Sequence, residues 1–218
     1  MDGQANGQVA GAKGAGASGT RHPHPDGGRR DVVAKRAARL FAERGYLGAS
    51  LRDIAAASGI QSPTLYSHYP SKLSILIEVV GRYFDAIVPR LENAVGASGD
   101  GAQRLRAMVV QSVEVGVRWR DEFLTTSNNW EWISAQPELA ELGRRRDEAF
   151  RVWRKVLAEG VADGSLRPVD PGAILWVISA AITGMVDQRY VATQEDRSSP
   201  PVSALVEILF DGLAARPD

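Results

Sequence analysis

The sequence predicts an all-α protein, on three observations. Apolar residues recur at helical spacing, as in Val33, Ala37, Leu40 and Phe41 at i, i+4, i+7 and i+8. No run alternates apolar and polar residues over a useful strand length. Glycine and proline cluster between the periodic segments, as at Gly96 to Gly101 and Pro168 to Pro171. The pattern yields about nine helices and no internal repeat.

Residues 1–28 are Gly, Ala, Asp and basic residues without period, which predicts a disordered tail. A first helix runs from Arg29, with Arg29, Arg30, Lys35, Arg36 and Arg39 off the apolar stripe and Gly45 as its stop. A second opens at Ser50-Leu51-Arg52-Asp53, a capping-box pattern. Leu51, Ile54, Ala55 and Ser58 share its face, and Gly59 ends it. A third is short and polar: Ser62 as N-cap and Pro63 at the first helical position open it. Ser71 caps a fourth that reaches Val95, about 36 Å at the usual rise per residue. Pro89 is expected to kink it or end it early. Further helices are predicted over 102–119, 121–134, 138–163, 171–192 and 201–215.

Composition narrows the chemistry. At 218 residues, with 44% apolar and 24% charged, the chain is long enough for a real core and ordinary in make-up. There is no cysteine, which excludes disulfides, thiolate catalysis and Cys-ligated zinc. His22 and His24 lie in the tail, so His68 is the one histidine expected in folded structure. Most His-based metal sites and catalytic triads fall away, and no catalytic residue, metal or cofactor is expected. No segment has the roughly 20 apolar residues of a membrane span, and no signal-peptide core opens the chain. The expected location is the cytoplasm.

Charge is unevenly placed. Residues 1–80 hold 10 Lys/Arg against 6 Asp/Glu, a net +4, and residues 81–218 hold 16 against 20, a net −4. Such a front suits an anionic polymer.

A helix, a tight connection and a short second helix make the helix-turn-helix plan, whose second helix enters the DNA major groove. Leu65 and Tyr69, four apart, can pack on Ile54 and the first helix. Thr64, Ser67 and His68 then face outward with Tyr66 between them, able to meet phosphate oxygens or base edges. Lys72 can neutralise a phosphate, and Arg52 can reach a phosphate or a guanine edge. The competing reading is a polar connector.

Leu51-Arg52-Asp53-Ile54-Ala55 through Ser58-Gly59-Ile60, then Pro63-Thr64-Leu65-Tyr66-Ser67-His68-Tyr69 and Ser71-Lys72, resembles the TetR family of transcriptional regulators. Ala38 to Tyr46 is similar to that family's first helix. The resemblance implies a DNA-binding domain over 29–89, its motif at about 52–71, and an effector-binding and dimerisation domain over 90–218. It implies DNA contacts from Arg52, Ser62, Thr64, Tyr66, Ser67, His68, Tyr69 and Lys72. Many members carry a small or basic residue in place of Ser62 and Phe in place of Tyr69, so base preference does not transfer.

Ala173 to Val186 is apolar almost all round, and the last helix carries a wide apolar stripe. Either these helices are monomer core or they pair with their copies. Two reading heads about 34 Å apart favour a dimer. The resemblance implies a homodimer through the last two helices, with Trp176, Ile178, Val202, Leu205, Leu209 and Leu213 at the contact. All five tryptophans follow residue 118, and taken one by one they read as bulky core. Together they suit an apolar ligand. The resemblance implies an effector pocket between the fourth and eighth helices, with Met108, Trp119, Phe123, Trp130, Trp132, Phe150 and Trp153 as its candidates.

Arg144-Arg145-Arg146, Arg151, Arg154 and Lys155 either receive an acidic group or form a solvated face with Asp147 and Glu148. Three consecutive residues cannot all face one pocket. Asn129-Trp130-Glu131-Trp132 ahead of Arg145-Arg146-Asp147 is similar to regulators that sense steroid-derived or fatty acyl-CoA compounds.

The expected function is a ligand-responsive transcriptional regulator: a repressor released from operator DNA by a small apolar or amphipathic effector, an acyl-CoA-like compound among the candidates. Two alternatives stay open. A small all-α enzyme would use carboxylates such as Asp121, Glu122, Glu131, Asp147 and Glu148, although the Glu-x-x-His motif of helical metal sites is absent. A helical protein-binding adaptor would keep the motif without binding DNA.

Overall fold

The computed structural model describes residues 25–187 and 202–213. The described residues form α1 (Pro25–Gly48), α2 (Leu51–Ala57), α3 (Ser62–His68), α4 (Lys72–Val95) and α5 (Gly101–Arg118). They continue as α6 (Arg120–Asn128), α7 (Trp130–Ser134), a 3-10 turn (Pro137–Leu139), α8 (Ala140–Ala162), α9 (Pro171–Val186) and α10 (Val202–Leu213). No strand occurs among them, and no helix among them is long and apolar enough to cross a membrane.

α1 starts at Pro25, ahead of the expected Arg29; the rest of the expected tail lies outside the described residues. Its stripe of Val33, Ala34, Ala37, Ala38 and Phe41 is buried. At Gly45 the backbone turns to φ 73°, which costs glycine little, and Tyr46 folds back edge-on to Phe41.

α4 is the central pillar, packed on α1, α5, α6 and α8. It reaches Val95 as expected, and Pro89 does not end it early. The ring lies on the exposed side, where a lost helical bond is cheapest, and the Arg90 guanidinium donates to the Ala86 carbonyl at 2.9 Å. An ion network ties α4 to α1: Arg30 to Glu78 at 2.7 Å, Arg82 to Glu78 at 2.8 Å and Arg82 to Asp31 at 2.7 Å. Burial pushes the Glu78 carboxyl up, but hydrogen bonds from Arg30 and Arg82 bring it below its ordinary value.

The single helix expected over 121–134 is two, because Asn129 is drawn sideways. Its amide oxygen accepts from the Tyr46 N–H at 2.8 Å, and its amide nitrogen donates to the Thr125 carbonyl at 2.8 Å. The Thr125 hydroxyl donates to the Ala38 carbonyl at 2.9 Å, so α6 grips α1 through buried polar bonds. At the far end α5 and α8 cross through glycines: a Cβ added to Gly101 would lie 2.1 Å from the Gly160 Cα.

Candidate nucleic-acid interface and ligand cavity

Local chemistry fixes where α2 and α3 begin. Ser50 Oγ accepts from the Asp53 N–H at 3.1 Å and Asp53 returns the bond, accepting from the Ser50 N–H at 3.0 Å. The hydrogen bonds from Ser50 hold the Asp53 carboxyl below its ordinary value. Gly59, at φ 66°, makes the turn. α3 starts one residue earlier than expected: Gln61 is the N-cap and Pro63 sits at the second position, where a missing N–H is harmless.

α3 is anchored from below. Leu65 and Tyr69 are both fully buried, the Tyr69 hydroxyl donates to the Arg30 carbonyl at 3.2 Å, and the Arg30 guanidinium covers its ring at 4.6 Å. This corrects the expected Tyr69–DNA contact, because a ring sealed by α1 cannot reach a groove. Burial also raises the Tyr69 pKa. The outer face carries Tyr66, 53% exposed, with Pro63 and Ser67 exposed and Ser62, Thr64 and His68 half-buried. Ser67 donates to the Thr64 carbonyl at 2.8 Å, leaving its oxygen as an acceptor. Arg52 stands exposed on α2.

Lys72 turns inward. Its ammonium donates to the Tyr46 and Ala49 carbonyls, each at 2.8 Å, and lies 4.3 Å from the Tyr46 ring centre. Burial lowers its pKa. Two of its donors serve carbonyls at and just past the end of α1, which leaves one of the three.

A cavity of about 620 Å³ opens between α4, α5, α6, α7, α8 and α9. Four expected residues line it: Phe123, Trp130, Phe150 and Trp153. The other three do not. Met108 is fully buried in the core between helices, Trp119 packs at the α5–α6 joint, and Trp132 stacks on Tyr46 with ring centres 4.5 Å apart. Tyr83, Phe84, Ile87 and Leu91 of α4 form a wall that the tryptophan count did not flag. The apolar stripe of α4 was visible, but not which neighbour left it uncovered.

Ile178 also lines the cavity at 2% exposure, which removes it from the expected dimer contact. Of the other residues named for that contact, Trp176 is 73% exposed and Val202 and Leu209 are half-buried. The side chains of Leu205 and Leu213 lie outside the described residues. No group of three or more His, Asp or Glu side chains that could hold a metal occurs among the described residues.

Residues 34–79 match bacterial regulatory proteins of the tetR family, and residues 98–189 match the tetracyclin repressor-like C-terminal domain. The HTH-type transcriptional repressor KstR2 of Rhodococcus jostii is 30% identical over 195 residues, covering 86% of this chain and 92% of the relative. The solved ketosteroid transcriptional regulator KstR2 of Mycobacterium tuberculosis shares the fold, with a TM-score of 0.75 at 23% identity over 86% of this chain and 96% of that one. So does AibR, solved in complex with isovaleryl coenzyme A and operator DNA, with a TM-score of 0.67 at 22% identity over 84% and 98% of the two chains. Since the likeness to the Rhodococcus repressor runs through the reading head and the cavity domain alike, the chain belongs to the TetR family of DNA-binding transcriptional regulators, which are ligand-responsive switches rather than enzymes.

Proposed function

We propose that the chain is a homodimeric, cytoplasmic repressor that leaves its operator when a small apolar or amphipathic effector enters the cavity. One observation carries the reading: a single helix serves both sites. α4 lines the cavity with Tyr83, Phe84, Ile87 and Leu91, and through Lys72 and Glu78 it holds α1, on which α3 rests. An effector that prefers a shifted α4 re-aims the reading heads, and the size of the response follows its preference between the two states.

Arg52, Ser62, Thr64, Tyr66, Ser67 and His68 are the proposed DNA contacts, with the remaining Lys72 donor on a phosphate. The dimer is supported by Trp176 and by Ile208, which is 74% exposed on α10; both are large apolar groups in need of cover. AibR, solved with isovaleryl coenzyme A, makes acyl-CoA compounds the first class to screen.

The test selects bound fragments from random duplex DNA and measures their affinity against salt. A logarithmic fall is expected, because phosphate contacts release counterions. Absence of any salt-dependent binding overturns the reading in favour of an adaptor. Light scattering at micromolar concentration should give a dimer, and Ile208→Asp a monomer; a monomeric wild type refutes the assembly.

A further inference from the structure

Three arginines stand in a row near the start of α8, and two of them are paired. Arg144 donates to Glu141 on its own helix, and Arg145 to Asp85 of α4. Arg146 faces the cavity instead, on one helical stripe with Ala149, Phe150 and Trp153. Aromatic rings hold its guanidinium, 4.3 Å from the Trp130 ring centre and 5.0 Å from that of Phe150. Among the described residues no carboxylate lies within ion-pair distance of it, and none of its N–H groups has a protein acceptor. Burial pushes its pKa down, against the field of neighbouring Asp147. It is the one charged side chain lining the cavity among the described residues.

Ring faces hold a guanidinium by its plane and leave its edge free. That edge is the fork that matches a carboxylate or phosphate in two parallel hydrogen bonds. A half-buried cation with idle donors is costly until such a partner arrives. Ser112, 4% exposed on α5, also lines the cavity.

We infer that Arg146 is the anion receptor of this site and that its ligand is an amphipathic acid. The apolar body lies among Phe84, Phe123, Trp130 and Trp153. The acidic group, a free carboxylate or a phosphate of the matching coenzyme A thioester, sits on the guanidinium edge. The assignment deepens the proposed function and rests on the cavity being the effector site.

The test titrates full-length protein with decanoate, methyl decanoate and decanoyl-CoA, following intrinsic tryptophan fluorescence, to which Trp130 and Trp153 of the cavity contribute. Wild type should bind decanoate or decanoyl-CoA about 10- to 100-fold tighter than the uncharged ester, the range for charge-assisted hydrogen bonds. Arg146→Gln should bring the acidic probes to the level of the ester and leave the ester unchanged, and Arg146→Lys should restore part of the difference. Loss confined to decanoate assigns the anion to the carboxylate, and loss confined to decanoyl-CoA assigns it to a phosphate. Equal binding of acid and ester by wild type, an acid preference that survives in Arg146→Gln, or no binding of either acidic probe overturns the inference. Melting curves guard against misfolding, since Arg146 holds no ion pair whose loss would unfold the protein. Operator release is read separately: a probe that binds through Arg146 yet leaves DNA binding intact sinks the effector role and leaves the receptor standing.

Discussion

Gly101 and Gly160 bring the backbones of α5 and α8 into contact, and alanine at position 101 should force them apart. Its Cβ would lie 2.1 Å from the Gly160 Cα and 2.4 Å from the Gly160 nitrogen. Carbon atoms rest about 3.5–4.0 Å apart, so the helices must separate by roughly 1.5 Å. The obstacle is backbone, and no rotamer relieves it. Overpacking of this kind costs about 1–3 kcal/mol. The shift also strains the Gly101 N–H bond to Asp163 at 2.8 Å, the Ala102 N–H bond to Ser165 at 3.0 Å and the Arg104–Glu159 pair at 2.8 Å. Losing one hydrogen bond adds about 1 kcal/mol. A total of about 2–4 kcal/mol, at about 2–4 °C per kcal/mol for a chain of this size, lowers Tm by about 4–16 °C.

Gly143→Ala is the matched control. It lies in α8, where an added Cβ meets nothing within 4 Å, so it should gain about 0.5–1 kcal/mol of helix propensity. Thermal melts by circular dichroism at one fixed protein concentration decide the matter. A Gly101→Ala protein melting within about 2 °C of wild type would refute the steric reasoning.

Other expectations concern the reading head and the α1–α6 joint. Tyr66→Ala should cost about 1–3 kcal/mol of DNA affinity while Tm stays nearly constant, because the ring is 53% exposed. Arg52→Ala should reduce the slope of log affinity against log salt by about one unit where Arg52 meets a phosphate; unchanged binding in both variants discards the docking surface. Lys72→Ala should weaken the fold as well as DNA binding, by about 1 kcal/mol or more, since it strips the Tyr46 and Ala49 carbonyls of their donor. An unchanged melt would leave Lys72 a DNA contact alone. Glu122 is buried, and desolvation raises its pKa. The unfolded chain therefore ionises first, and wild type loses stability as pH rises from about 4.3 through the folded value. Glu122→Gln should melt higher than wild type at neutral pH and match it below about pH 4, and a lower melt at neutral pH contradicts this.

Two contacts would carry the coupling that the proposed function requires. Arg145 joins α8 to α4 at Asp85, one residue beyond Phe84 of the cavity wall, and Asn129 joins α6 to the end of α1. On the proposed function, a ligand that spreads α8 from α4 acts on the Arg145–Asp85 contact.

Much of the reading head was legible in the chain because its signals are local. Capping at Ser50 and Ser71, the glycine turn at Gly59 and the proline near the start of α3 each act on backbone within four residues, and all four operate in the fold. Periodicity likewise marked the buried stripe of α1. Spacing assigns a residue to a face of its helix, and that is where its information ends. Which helix covers the face was decided by packing. α1 seals Tyr69 while Tyr66 stays in solvent, and the carbonyls at the end of α1 draw Lys72 inward. Of three adjacent arginines, two found carboxylates and only Arg146 was left to the cavity. The cavity itself is space left between six helices scattered from Tyr83 to Gly184, and no stretch of chain encodes an absence of atoms between segments that meet only on folding.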